Sequence, residues 1–253
     1  MERPTERPTE RIALITGGGS GIGKATGLKL AQAGWHVVLA GRRLGKLQET
    51  AQLHSNLTAI TADVTNETQV DALFSEIQQR FGRLDLLFNN AGIFSPAARI
   101  SQTSLEAFTN SLTINVTGAF LCARAAFRLM AAQTPQGGRI INNGSISAHV
   151  PRPHAVAYTV SKHAITGLTR SLSLEGRANN IACGQIDIGN ATTELTAGIA
   201  RSSLQADGTQ APEPMMDVDH AASSVLHMAS LPLTANVQFM TVMATSMPFI
   251  GRG

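Results

Sequence analysis

Tyr158 is the only tyrosine among 253 residues, and Lys162 follows it by four positions. On a helix that spacing puts both side chains on one face. A phenol with its ordinary pKa of about 10 exchanges protons poorly at neutral pH, and a neighbouring ammonium lowers that value by favouring the phenolate. So tuned, Tyr158 gives a proton to a carbonyl oxygen, or takes one from an alcohol, as hydride moves. Ser145 lies 13 residues upstream at the end of the apolar run Ile140-Ile141-Asn142-Asn143-Gly144. Its hydroxyl suits holding and polarising a substrate oxygen; Ser147 competes for that role, and a plain turn serine is the alternative. Asn115 sits in the apolar stretch Thr113-Ile114-Asn115-Val116, where an amide needs a partner that a core network also supplies.

A second group of residues points to phosphate. The first apolar run leads into Thr16-Gly17-Gly18-Gly19-Ser20-Gly21-Ile22-Gly23 and then a helical pattern, with five glycines in seven residues. A turn of this kind presents backbone N–H groups at a helix N-terminus, where the dipole favours an anion. Glycine avoids the Cβ that would block the turn and the approach of a diphosphate. The strict G-x-G-x-x-G fingerprint has no match. Gly18 to Lys24 reads as a P-loop, but Ala25 replaces the hydroxyl residue that would hold Mg²⁺, which argues against a nucleotide hydrolase. The next apolar run ends in Gly41-Arg42-Arg43, with no carboxylate before Glu49. A guanidinium there suits a ribose 2′-phosphate, which an acid would repel, and at a dinucleotide site it would favour NADP(H) over NAD(H). A solvated basic pair opening the next helix is the alternative.

The elements that must position these groups are legible from periodicity. Strands are predicted at Arg11 to Thr16, His36 to Ala40, Leu57 to Thr61, Leu84 to Asn89, Arg139 to Asn142, Ile181 to Ile186 and Val237 to Val242, with helices over 21–33, 66–81, 104–132, 157–176 and 217–229. Strands apolar on both faces and separated by helices predict an α/β fold, a single doubly wound domain over 11–253 with a seven-stranded, mainly parallel sheet and helices on both faces. Residues 1–10 read as a solvated tail without an apolar h-region. Residues 189–216 have weak periodicity and lie at the carboxyl edge of the sheet, where a substrate lid is expected; Leu195, Ile199, Leu204 and Met215 hint at an apolar pocket.

Composition narrows the classes further. Charged residues make up 15% and the net charge is +3, too small to argue for nucleic acid. The two cysteines, Cys122 and Cys183, have no framework spacing, so a reducing, cytoplasmic compartment is expected. Seven histidines lack ligand spacing, and no metal is proposed; His149 and His154, flanking Pro151-Arg152-Pro153, are read as substrate contacts or surface residues. From Asp219 to Arg252 no charged side chain intervenes, but Pro232, Asn236, Gln238 and Pro248 interrupt the run, which reads as a buried helix, a buried strand and an interface tail rather than a membrane span.

The turn T-G-x-x-x-G-x-G, followed in order by Asp63-Val64, Asn89-Asn90-Ala91-Gly92, Asn115, Ser145 and Tyr158-x-x-x-Lys162, resembles the short-chain dehydrogenase/reductase family over about residues 11 to 193. The resemblance implies a Rossmann-type domain and a hydride transfer between NADP(H) and a ketone, aldehyde or alcohol. It implies that Asn115, Ser145, Tyr158 and Lys162 are catalytic, with Asn115 in a water-mediated proton relay to Lys162. For the cofactor it implies Gly17, Gly19, Ser20, Gly21, Ile22 and Gly23 at the diphosphate, and Arg42, helped by Arg43, at the 2′-phosphate. Asp63 and Val64 fall at the adenine, Asn90, Ala91 and Gly92 under the ribose, and Thr193 at the pyrophosphate or carboxamide. Asp63 also reads as a helix cap, and Asn89 to Gly92 as an ordinary turn. Where the family commonly has Pro-Gly, Ile188-Gly189 stands, which predicts a looser lid hinge. A homodimer or homotetramer is implied. A non-catalytic NADP-binding sensor or scaffold is the competing reading, opposed by the intact Ser145, Tyr158, Lys162 and Asn115 set.

Overall fold

The computed structural model describes residues 10–250; the first nine residues of the expected tail lie outside the described residues. The strands are β1 (Arg11–Thr16), β2 (Trp35–Gly41), β3 (Leu57–Thr61), β4 (Leu86–Asn89), β5 (Gly138–Asn143), β6 (Ile181–Ile188), the short β7 (Ser203–Leu204) and β8 (Gln210–Ala211), and β9 (Phe239–Val242). The helices are α1 (Gly21–Gln32), α2 (Leu44–Ala51), α3 (Glu67–Phe81), α4 (Leu105–Leu112), α5 (Gly118–Ala132), α6 (Val156–Glu175), α7 (Ala197–Arg201) and α8 (Val218–Ser230). Seven strands form one sheet in the order β3-β2-β1-β4-β5-β6-β9, every pair parallel.

Alternation along the strands feeds two cores. Ala13 and Ile15 of β1, Val37 and Leu39 of β2, and Leu86 and Phe88 of β4 pack with α1 and α8 through Leu30, Val225 and Met228. Ile12, Leu14, Val38 and Leu87 point to the other face, against Leu73 and Ile77 of α3 and Cys122 and Met130 of α5. Both faces are covered, which is why these strands read as continuous apolar runs rather than as alternating ones. The polypeptide turns from one half of the sheet to the other between β1 and β4, and the crevice at this switch point lies at the carboxyl ends of the strands.

Three expectations need correction. The helix predicted over 104–132 is broken into α4 and α5 by a π-helical turn, Thr113–Thr117, with Asn115 at its centre. A π turn inserts one residue and re-aims the side chain it carries. The run Leu105–Ala132 is long and apolar enough to cross a membrane, but 56% of its most apolar window is buried inside the fold, as in a core helix. The C-terminal strand is not buried: β9 is at the sheet edge and Phe239 is exposed. Its approach is held by Arg139, whose guanidinium donates to Asn236 Oδ1 and to the carbonyls of Leu231, Pro232 and Ala235.

The third correction concerns 189–216. The segment carries α7 and the β7–β8 hairpin, and its two ends are pinned to each other. Ala191 and Met216 form a parallel bridge, Met216 N–H donates to Asn190 O at 2.8 Å, and Thr192 N–H donates to Met216 O at 2.9 Å. Gly189 N–H donates to Val242 O at 2.8 Å, and a Cβ on Gly189 would meet Met243 Cβ at 2.7 Å. The hinge is therefore close-packed without proline.

Candidate active site

The carboxyl ends of β1 to β6 open onto one cleft, and its lining brings together Gly17, Gly19, Ser20, Gly21, Ile22, Arg42, Arg43, Asp63, Val64, Asn90, Ala91, Gly92, Ser145, Tyr158, Lys162 and Thr193. Two of the sequence-selected residues, Gly23 and Asn115, are not in that lining and act from beneath it.

At the turn, Gly17 and Gly21 have φ of +68° and +51°, the left-handed region that glycine adopts without strain. A Cβ on Gly23 would come within 2.3 Å of Gly17 O, so Gly23 lets α1 lie against the turn. Ser20, the N-cap of α1, makes no side-chain capping bond; its hydroxyl instead accepts from Arg43 Nη2 at 3.4 Å. The N-terminus of α1 thus faces the cleft with Arg42, Arg43 and Lys46 around it, an arrangement that fits a diphosphate. Lys46 is one turn along α2 from the two arginines, a signal the sequence carried and the motif search passed over. Thr193 sits over the turn, its Cγ2 at 3.3 Å from where a Gly21 Cβ would be.

Asp63 is not the cap of α3, because Asn66 takes that role by accepting from Gln69 N–H at 3.1 Å. Asp63 Oδ1 accepts from the Thr65 N–H and hydroxyl at 2.9 and 2.8 Å. The Thr65 backbone bond holds the carboxyl below its usual range against the opposing effect of burial, with the Thr65 hydroxyl and the Arg42 charge helping. Asn90 stitches three strands: its Nδ2 donates to Thr16 O at 2.9 Å and its Oδ1 accepts from Asn143 Nδ2 at 2.9 Å.

At the other end of the cleft, Ser145 Oγ accepts from Ser147 N–H at 3.1 Å, so the serine proton is directed elsewhere, and Tyr158 and Ser145 share a side-chain hydrogen bond. Lys162 Nζ donates to Asn143 O at 2.7 Å and lies 5.5 Å from the centre of the Tyr158 ring. Phe94 packs on Tyr158 with ring centroids 4.4 Å apart. Asn115 uses its amide on the scaffold: Oδ1 accepts from Ile93 N–H at 2.8 Å, while Nδ2 donates to Ile93 O at 3.0 Å and to Ser161 Oγ at 3.1 Å. Ser161 in turn donates to Tyr158 O at 2.7 Å, so the Asn115 amide is tied to the tyrosine helix.

The expectation of a lowered tyrosine pKa does not hold for the free protein. Burial pushes Tyr158 up to about 12; the Ser145 hydrogen bond and the Arg152 charge oppose this, and Asp187 adds to it. Burial also brings Lys162 down to about 8, with Asp187 working in the opposite direction. The physical reason is that loss of hydration disfavours phenolate and ammonium alike, and helical spacing alone does not show how dry the site is.

Arg152, in the loop before α6, reaches the segment beyond β6. Its Nη2 donates to Glu213 Oε2 at 2.6 Å and to Asn190 Oδ1 at 2.8 Å, and Asn190 Nδ2 donates to the same Glu213 oxygen at 2.7 Å. Sequence reading missed Glu213 and Asn190, which have no motif and meet Arg152 only in the fold. Leu195 lines the cleft, whereas Met215 lines a separate groove beside α8. His149 faces Asp187, and His154 takes a positive φ of 60° while its carbonyl accepts from Ala98 N–H.

Comparison with known proteins agrees with this geometry. Residues 11–203 match the family model described as short chain dehydrogenase, and the chain belongs to that family of oxidoreductases. A 3beta-hydroxysteroid dehydrogenase of Mediterraneibacter gnavus is 33% identical over 191 residues, covering 74% of this chain and 68% of that protein. An uncharacterized oxidoreductase of Staphylococcus aureus is 31% identical over 236 residues, 92% of this chain and 97% of its own. Among solved structures, a closed form of serine dehydrogenase complexed with NADP⁺ superposes with a TM-score of 0.85 at 23% identity, over 96% of this chain and 98% of that one. A 3-ketoacyl-(acyl-carrier-protein) reductase from Brucella melitensis complexed with NADH gives 0.82 at 24%, over 92% and 96%. These structural likenesses concern the fold.

Proposed function

We propose that the protein transfers hydride between NADP(H) and a ketone, an aldehyde or the corresponding alcohol, with NADPH-dependent reduction as the direction the site favours. The observation that carries this is the placement of Ser145, Tyr158 and Lys162 at one end of a single cleft and Arg42 and Arg43 at the other. When bound, the nicotinamide supplies or accepts the hydride. The remaining work falls to the chain's own residues. A buried Tyr158 whose pKa is pushed up to about 12 stays a neutral phenol, which is the form that donates a proton to a carbonyl oxygen. Ser145, whose oxygen accepts from Ser147 N–H, donates its own proton to the same substrate oxygen and orients it. Lys162, brought down to about 8, keeps its charge at neutral pH and faces the phenolate that forms. Arg42, Arg43 and Lys46 would hold a 2′-phosphate, and α1 the diphosphate. A homodimer or homotetramer belongs to the same reading, with Phe120, Val160 and Phe239 as exposed apolar side chains available for contact.

The test is NADPH oxidation across a panel of sugars, steroids, quinones, acyl thioesters and small ketones, with calorimetric binding of NADPH and NADH alongside. Turnover of one or more carbonyls is expected. Tyr158→Phe is expected to lose about 10²–10⁴-fold in kcat with NADPH affinity retained. Tighter binding of NADH than of NADPH overturns the cofactor assignment. Binding without turnover over the whole panel, with Tyr158→Phe indistinguishable from the wild type, points instead to the sensor or scaffold.

A further inference from the structure

Asp187 lies near the end of β6 and is wholly buried. Its Oδ1 accepts from Ser145 N–H at 2.9 Å and from Gln185 Nε2 at 2.7 Å, and its Oδ2 pairs with His149 Nε2 at 2.8 Å. The carboxylate is packed against the backbone that precedes the serine: a Cβ on Gly144 would come within 2.0 Å of Asp187 Oδ1. Gly144 N–H is itself tied to Ile186 O at 2.8 Å, so the turn is held to β6 at two successive residues, Ile186 and Asp187. Holding one backbone N–H needs only a neutral acceptor, while burying a carboxylate carries a desolvation cost that its partners must offset.

We propose that Asp187 is a positioning residue for this site: with His149 behind it, its carboxylate fixes the main chain at Gly144–Ser145 and so aims the Ser145 hydroxyl at Tyr158. The assignment rests on the reading of Ser145 and Tyr158 given under Proposed function. His149 is the outer half of the device. Its side chain is 43% exposed and its ring stands edge-on to Phe249, with centroids 6.5 Å apart, so the dyad joins the serine turn to the C-terminal segment. The charged groups around Tyr158 are Arg152, Asp187 and the Lys162 ammonium 5.5 Å from its ring centre, and Asp187 is also the charge that reaches Lys162. A negative charge there favours the protonated forms of both, so Asp187 additionally keeps the phenol and the ammonium loaded with their protons.

The experiment compares Asp187→Asn with the wild type on the carbonyl that the panel identifies. The expected result is NADPH affinity within about threefold, kcat lower by about 10–100-fold, and a basic limb of the reduction profile moved to lower pH by roughly half a unit or more. A kcat within about twofold with an unmoved profile overturns the proposal, as does a loss matched by equal losses in NADPH affinity and thermal midpoint, which marks a merely structural role. If Asp187→Asn does not fold, His149 supplies the test. His149→Gln restores a donor to Oδ2 and His149→Leu does not, so the Gln variant is expected to retain at least about fivefold more kcat than the Leu variant; equal activities overturn the proposal. If the wild type turns over no carbonyl, the functional reading fails separately, and the Cζ carbon resonance of the only tyrosine still reports on Asp187. That resonance is expected to titrate at lower pH in Asp187→Asn, and an unchanged titration overturns the proposal.

Discussion

Lys162 shows how one buried charge serves two purposes. Its ammonium, which donates to Asn143 O and lies beside the Tyr158 ring, has been brought down to about 8 by burial. For a lysine so depressed, the charge is complete below that value and lost as pH rises through it. Affinity for an anionic cofactor is therefore expected to be flat to about pH 7 and to weaken by several-fold by about pH 9, within the range where free lysines remain charged. Calorimetric titration of NADPH across this range checks the sign, and Lys162→Met should flatten the dependence at the weaker affinity. The pair Tyr158 and Lys162 was visible in the sequence because spacing of four on a helix fixes a shared face. The direction of the tyrosine shift was not visible, because it depends on Phe94 packing over the ring and on walls contributed from distant parts of the chain.

At the scale of elements, the segment after β6 is the most informative. Irregular composition predicted a substrate lid, and the structure anchors that segment through Arg152, Asn190 and Glu213. Burial alone would raise the Glu213 carboxyl, but the Asn190 hydrogen bond, the Arg152 charge and bond, and Gln205 together hold it below its usual range. A depressed carboxylate contributes stability above its unfolded value, and that contribution is lost as pH falls through the folded one. The anchor should therefore survive acidification through the ordinary carboxylate range near about pH 4 and release only below it. Arg152→Met removes the guanidinium that bonds both Glu213 and Asn190, and so weakens the anchor. The expected outcome is faster hydrogen exchange and proteolysis within 192–216 while the strands of the large sheet keep their protection; uniform loss of protection would show that the segment does not open on its own. The π turn at Thr113–Thr117 belongs to the same scale. Periodicity read one continuous helix there because a single inserted residue barely disturbs the apolar pattern, yet it turns Asn115 inward to Ile93 and Ser161.

For the molecule as a whole, the two cysteines offer a probe of cooperativity. Cys122 in α5 and Cys183 in β6 are free and fully buried in the same core, and burial pushes both thiols up to about 12. Neither should react with an aqueous thiol reagent near neutral pH until the core opens. Labelling is then expected to follow global unfolding in denaturant, with both sites reacting together, and saturating NADPH should slow it by mass action on the native state. Rapid labelling of either cysteine in the native protein would show that the α5 and β6 layer breathes independently.

The sequence by itself determined the order and type of the main elements, the parallel sheet covered on both faces, the phosphate-binding turn and the serine, tyrosine and lysine of the candidate site. Those features follow from local rules: periods of about 2.0 and 3.6 residues, glycine where a Cβ cannot fit, and fixed spacing along a helix. Only the tertiary structure decided what those groups feel. It brought Asp187 to Ser145 and His149, and Arg152 to Glu213, and it made the tyrosine dry. Each of these depends on contacts between residues far apart in the chain and on the exclusion of water from between them, and neither distance nor hydration is written in a local pattern.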